Sequence, residues 1–295
     1  MTRQRKEKNV KFIFLIFALA SMLALGLIVA FLFREGLPIF KEVSVADFLF
    51  GADWYPTYDP PEYGIWPLLV GSLAVTFFAS LIAVPLGILS AVYTSEIAPT
   101  AVKEILKTII ELLAGLPSVV LGFFGMVVVA PYLQETFDLP TGLNIVNASL
   151  MLALMAIPTI SSISEDALYA VPREFKEASY ALGATKFETI VNVTIPAALS
   201  GISTAVILGM ARAIGETMVV LMVAGGAAAV PEGIFDSVRP IPASIAAEMG
   251  EAPFGSGHYH ALFAIGIVLF FMTMIFNLIA DYISHKFREA GSATL

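Results

Sequence analysis

Arg212 and Glu216 stand four residues apart within ILGMARAIGETMVVLMV, residues 207–223, an apolar run long enough to lie in a membrane. A full charge near the bilayer centre costs at least about 2.5–3.5 kcal/mol on insertion scales, so such residues usually face a bundle interior or a water-filled path. If the run is one helix, the four-residue spacing puts both side chains on one face. Two readings are open. The pair neutralises itself and only holds helices together, or Arg212 attracts an anion in passage while Glu216 orients the guanidinium and moderates its grip. A planar guanidinium donates two parallel hydrogen bonds and so suits a tetrahedral oxyanion such as phosphate.

The elements that must position this pair are membrane spans. The chain has 295 residues, 58% hydrophobic and 14% charged, where a soluble domain carries about 25% charged residues. That deficit predicts an all-α integral membrane protein. A span needs roughly 20 apolar residues, and six runs qualify, at about residues 12–33, 68–93, 105–132, 147–163, 199–229 and 259–283. The first, led by Arg3, Arg5, Lys6 and Lys8, competes with a signal-peptide reading; its length and the FLFREG that follows favour an uncleaved anchor. With the N-terminus inside, the cytoplasmic segments hold Arg3, Arg5, Lys6, Lys8, Lys11, Lys103, Lys107, Arg173, Lys176, Lys186, Lys286 and Arg288. The outer segments hold only Arg34, Lys41 and Arg239. The positive-inside rule therefore places both termini, 1–11 and 284–295, in the cytoplasm.

Two outer segments are long. Residues 34–66 contain GADWYPTYDPPEYGIW, whose Trp54, Tyr55 and Trp66 suit an interfacial belt. Residues 230–258 leave room for a short interfacial helix. Both read as solvated loops, with a docking surface as the sharper alternative. Gly115, Pro117, Gly122 and Gly125 in span three, and Pro85 and Gly87 in span two, read as close-packing or kink positions, with pore lining as the alternative. Glu165 and Asp166 read as a solvated pair at the cytoplasmic end of span four. The three histidines, including His258 and His260, complete no metal site, and the absence of cysteine removes thiolate chemistry.

Between spans four and five lies EDALYAVPREFKEASYALGATKFETIVNVTIPAALSG, residues 165–201. Pro172 can open a helix, residues 174–182 carry Ala178, Ala181 and Leu182 on one face, and Gly183 is a stop. A second short helix is expected over 185–193, and Pro196 opens span five. Glu177-Ala178-Ser179, then Gly183, then Val193, Ile195 and Pro196 at matching spacing resemble the cytoplasmic loop of ABC importer permeases. The resemblance implies a type-1 ABC importer permease fold over 68–283. It also implies a coupling loop, 170–196, whose Glu177, Ala178, Ser179 and Gly183 meet a separate ATPase.

RAIGETM, SEDALYAVPREFKEASYALGATKFETI and GLPSVVLGFFG sharpen the likeness. They resemble the phosphate-specific permeases of bacterial ABC importers, and YGIWPLLVGSLAVTFFASLIAVPLGILSAVYTSEIAP is similar to the PstC type. That family implies transport roles for Arg212 and Glu216. It implies a second permease of PstA type, an ATPase pair of PstB type, an extracytoplasmic phosphate-binding protein of PstS type, and inorganic phosphate as cargo in a cell membrane. No G-x-x-x-x-G-K-[ST] loop occurs in the chain, so it is read as a non-enzymatic subunit that binds no cofactor itself. ATP and Mg fall to the partner ATPase, and nucleic acid is not among the expected partners. The rivals are a molybdate or sulfate permease of the same class, an ion-coupled secondary anion carrier, and a membrane-anchored receptor.

Overall fold

The computed structural model describes residues 2–292, and their side chains from residue 11 to residue 282 except 280. Arg3, Arg5, Lys6, Lys8, Lys286 and Arg288, on which the expected orientation leans, lie outside the described side chains. Among the described residues, five helical stretches are long and apolar enough to cross a membrane, or six if one bent pair counts as a crossing.

Helix α1 (Thr2–Gly36) presents nearly every described side chain outward and touches the rest of the chain only near its end. There Phe31 and Phe33 meet Phe263 and Phe271 edge-on, at 5.6 and 6.0 Å between ring centres. A short 3-10 turn, Leu37–Lys41, leads to α2 (Val45–Phe50), whose first turn is capped by the Ser44 hydroxyl accepting from the Asp47 amide. Strands β1 (Trp54–Tyr55) and β2 (Glu62–Tyr63) pair antiparallel, Trp54 opposite Tyr63. α3 (Trp66–Val92) then runs across the molecule for about 40 Å and widens into a π-helical turn at Tyr93–Ile97.

The third span is not the single helix expected over 105–132. α4 (Thr100–Gly115) ends at Leu116, which is extended because Pro117 follows it and disfavours a helical residue before it. The crossing element begins only at α5 (Ser118–Phe124), continues through a π-helical stretch, Gly125–Val129, and ends with α6 (Ala130–Phe137). No residue of α4 is buried. A methyl group added at Gly87, Gly122 or Gly125 would come within 2.8 Å of Ile160, Met222 or Met151, so these glycines serve close packing. Gly115, by contrast, faces open space.

α7 (Ile145–Tyr169), capped by Asn144 accepting from the Asn147 amide, is the centre of the bundle, with two-thirds of its most apolar window buried. Ala79 and Ala83 of α3 and Ala148, Ala153 and Ala156 of α7 are all buried in the shared cores. Small residues at such a seam let two backbones close together where lipid supplies no hydrophobic drive. The Ser149 hydroxyl donates to the Val75 carbonyl across it.

Beyond α7 come α8 (Arg173–Ala181), the turn at Gly183, and α9 (Lys186–Thr189), followed by a π-helical turn, Ile190–Thr194, and α10 (Ile195–Ala197). The chain then bends by 69° into α11 (Leu199–Ile214). After Gly215 follows α12 (Met218–Val223), and a return loop leads to α13 (Ile241–Glu248) and α14 (Gly257–Ser292).

The two segments read as solvated loops are instead an ordered ledge. Ile39, Phe48, Trp54, Tyr63, Ile65 and Ile241 share one buried cluster with the start of α14. Trp54 is no interfacial belt residue: it is 2% exposed, and its indole N–H donates to both Glu248 carboxylate oxygens at 3.1 Å. Arg239 donates to Glu248 Oε1 at 2.7 Å, and His258 Nε2 lies 2.9 Å from Oε2. Burial pushes the Tyr63 phenol above its ordinary range, and the Glu42 carboxylate beside it adds to the shift.

Candidate functional site

The helix carrying Arg212 stops two residues later. Gly215 weakens helical propagation, and α12 starts afresh at Met218. Glu216 falls in the break, so the expected same-face pairing is not made. Its Oε1 instead accepts from the Met218 and Val219 amides at 3.2 and 3.4 Å, where a carboxylate satisfies free N–H groups and the positive end of the helix dipole. Among the described residues its Oε2 has no partner.

Arg212 Nη1 donates to the Thr159 hydroxyl of α7 at 3.3 Å. Thr159 lies roughly 20 Å along α7, immediately after Pro158. Arg212 is exposed on the surface of the chain and Glu216 is half-buried. The two still border one recess, with Leu152, Met155, Ala156 and Ala213. Among the described residues the arrangement is therefore a guanidinium steadied by a hydroxyl, with its remaining donors free, and one free carboxylate oxygen at the same recess. Chemically this can grip an oxyanion and accept a hydrogen bond from an O–H that the anion carries. Thr159 was not among the candidates: a lone threonine in an apolar run gives no local signal, and it lies 53 residues from Arg212 in the chain.

The α8–α9 hairpin builds the second candidate. Gly183 sits at its tip with φ +87°, a backbone region costly for any residue with a Cβ. Leu182 beside it is 90% exposed. Glu177 and Ala178 are exposed on α8, while the half-buried Ser179 hydroxyl shares a hydrogen bond with Thr189 Oγ1 at 2.9 Å. Thr185 and Glu188 form a reciprocal capping box at the start of α9. Lys176 meets Glu96 at 2.6 Å.

Glu165 is not the solvated helix-end residue expected. It is 4% exposed and draws in Lys103 and Lys107 of α4 at 3.6 and 3.9 Å. The Lys103 ammonium also lies 4.0 Å above the Tyr169 ring. These contacts hold α4 against the end of α7.

Comparison with known proteins adds four findings to this geometry. Residues 83–289 match the family described as "Binding-protein-dependent transport system inner membrane component". The chain is 41% identical over 286 residues to the "Probable ABC transporter permease protein YqgH" of Bacillus subtilis, covering 96% of this chain and 93% of that one. It is 34% identical over 254 residues to the "Phosphate transport system permease protein PstC" of Mesorhizobium japonicum, covering 80% and 77%. Among solved structures, a bacterial alginate ABC transporter in complex with an alginate pentasaccharide-bound periplasmic protein shares the fold. Its TM-score is 0.59 at 17% identity, over 95% of this chain and 96% of that one.

Proposed function

Because the chain belongs to the binding-protein-dependent inner membrane transport component family, we propose that it imports inorganic phosphate as one permease subunit of an ATP-driven ABC importer. The coarser statement holds outright: it is an ABC importer permease of the inner membrane, working with a separate ATPase and a periplasmic binding protein. Phosphate as the cargo, a PstA-type second permease, a PstB-type ATPase pair and a PstS-type binding protein are the finer reading. The PstC name of relatives such as that of Mesorhizobium japonicum supports it. In this reading the chain binds no cofactor, the partner ATPase uses ATP and Mg, both termini lie in the cytoplasm, and the α8–α9 hairpin faces the ATPase. Glu177, Ala178, Ser179 and Gly183 then belong to that contact.

One observation carries the substrate reading: among the described residues, Arg212 keeps guanidinium donors without a partner on the open surface, bordering the same recess as the unpartnered Oε2 of Glu216. A second permease set against this surface would close the recess and turn an exposed charge into a pathway charge. Any tetrahedral oxyanion fits the guanidinium, so sulfate or molybdate is the second reading. Glu216 separates them. At neutral pH hydrogen phosphate still carries an O–H that can donate to a carboxylate, whereas sulfate brings only lone pairs that the carboxylate repels.

The deciding experiment is phosphate uptake by the four-component complex in proteoliposomes. Arg212→Ala should abolish uptake while the complex still assembles. Loss of assembly instead would favour the purely structural role for the pair, and ATP-dependent uptake of sulfate in preference to phosphate would favour the second reading.

A further inference from the structure

We propose that the Lys176–Glu96 ion pair is the strut through which movement of the α8–α9 hairpin reaches the membrane-spanning bundle, which makes both positioning residues for the transport cycle. The inference rests on the reading of this hairpin as the ATPase contact.

α8 has no buried residue, so it lacks the apolar anchor that fixes an ordinary surface helix. Among the described residues its side-chain hydrogen bonds are two. Ser179 to Thr189 stays within the hairpin. Lys176 to Glu96 is the one that leaves it, a 2.6 Å contact joining positions 80 residues apart in the chain. Neither partner is a loose surface group, since the side chains are 21% and 11% exposed. A charge pair in that setting has short reach and firm geometry, unlike an exposed pair that water and salt loosen.

Glu96 occupies the π-helical turn that ends α3, and the chain leaves the helix two residues later at Ala98. A π-helical turn is a common point of local adjustment in a helix. α3 then carries the motion inward, because it packs along α7 through their small-residue seam and the Ser149–Val75 hydrogen bond. α7 in turn holds Thr159 against Arg212. A displacement of α8 is thus linked by named contacts to the proposed anion contact. The charge-exchange experiment measures that coupling directly.

The four-component complex is reconstituted with inorganic phosphate as cargo, and ATP hydrolysed and phosphate imported are measured together. Glu96→Gln keeps shape and folding while removing the pair. It should leave ATPase capture intact and lower the phosphate imported per ATP by about tenfold, within the range that residues along coupling routes show. Lys176→Glu should do the same, and Lys176→Glu with Glu96→Lys should restore most of the ratio. If Glu96→Gln keeps the wild-type ratio, or the exchanged pair restores nothing, the strut is overturned. Leu182→Glu at the hairpin tip tests the underlying reading separately. It should abolish ATPase capture; full capture would remove the docking premise and the strut with it.

Discussion

At the residue scale, the arginine and the glutamate of span five were legible because two charges in an apolar run are conspicuous by their insertion cost. Their partners were not. Arg212 hydrogen-bonds a threonine on another helix, and Glu216 caps the helix that follows it. Neither contact leaves a trace in local spacing. The geometry gives distinct expectations for the three side chains. Thr159→Val removes one hydrogen bond to a charged group, about 1.5–3 kcal/mol at most, and should weaken uptake by roughly tenfold or more without preventing assembly. Arg212→Lys keeps the charge but loses the planar fork, so it should retain assembly and recover only a small part of the uptake that Arg212→Ala loses. Glu216→Gln turns an acceptor into a donor at the recess, and sulfate should become a better competitor of phosphate uptake. Unchanged competition would remove the carboxylate from the selection step.

At the element scale, the helices that appeared as long, almost charge-free runs stand where the sequence placed them: α1, α3, α7 and α14 each overlap an expected span. Breaks were harder to see. Pro117, a packing or kink position by sequence, gave no sign that α4 would leave the crossing entirely, and Gly215 was not among the positions singled out. The hairpin is legible because proline and glycine act locally: α8 starts beside Pro172, Gly183 ends it, and α9 falls within the expected 185–193, its Thr185 cap being a further local signal that was not anticipated. Gly183→Ala forces a Cβ into a left-handed backbone at a cost of about 1–2 kcal/mol. Faster amide hydrogen exchange across α8 and α9, together with weaker ATPase capture, should follow. Thr185→Ala removes a helix cap worth about 1 kcal/mol and should speed exchange in α9 more than in α8.

At the scale of the whole molecule, the ledge opposite the hairpin was the least legible part. Trp54 and Glu248 lie 194 positions apart, and pairing at that separation has no periodic signature. Glu248 nevertheless fastens β1, the return loop at Arg239 and the head of α14 together. Glu248→Ala removes the acceptor that Trp54 and Arg239 share and should destabilise the protein by roughly 1–3 kcal/mol, read as a lower unfolding temperature in detergent and earlier proteolysis within residues 34–66. The 69° corner ahead of α11 has an effect on the scale of the entire fold. If the two arms, Lys186–Ala197 and Leu199–Ile214, turn together about this corner, a rotation of the first is carried into the second. Arg212 rides about 20 Å along the second arm, so a turn of about 10° at the corner carries its guanidinium about 3 Å. That distance alone is enough to trade one hydrogen-bonding neighbour for the next.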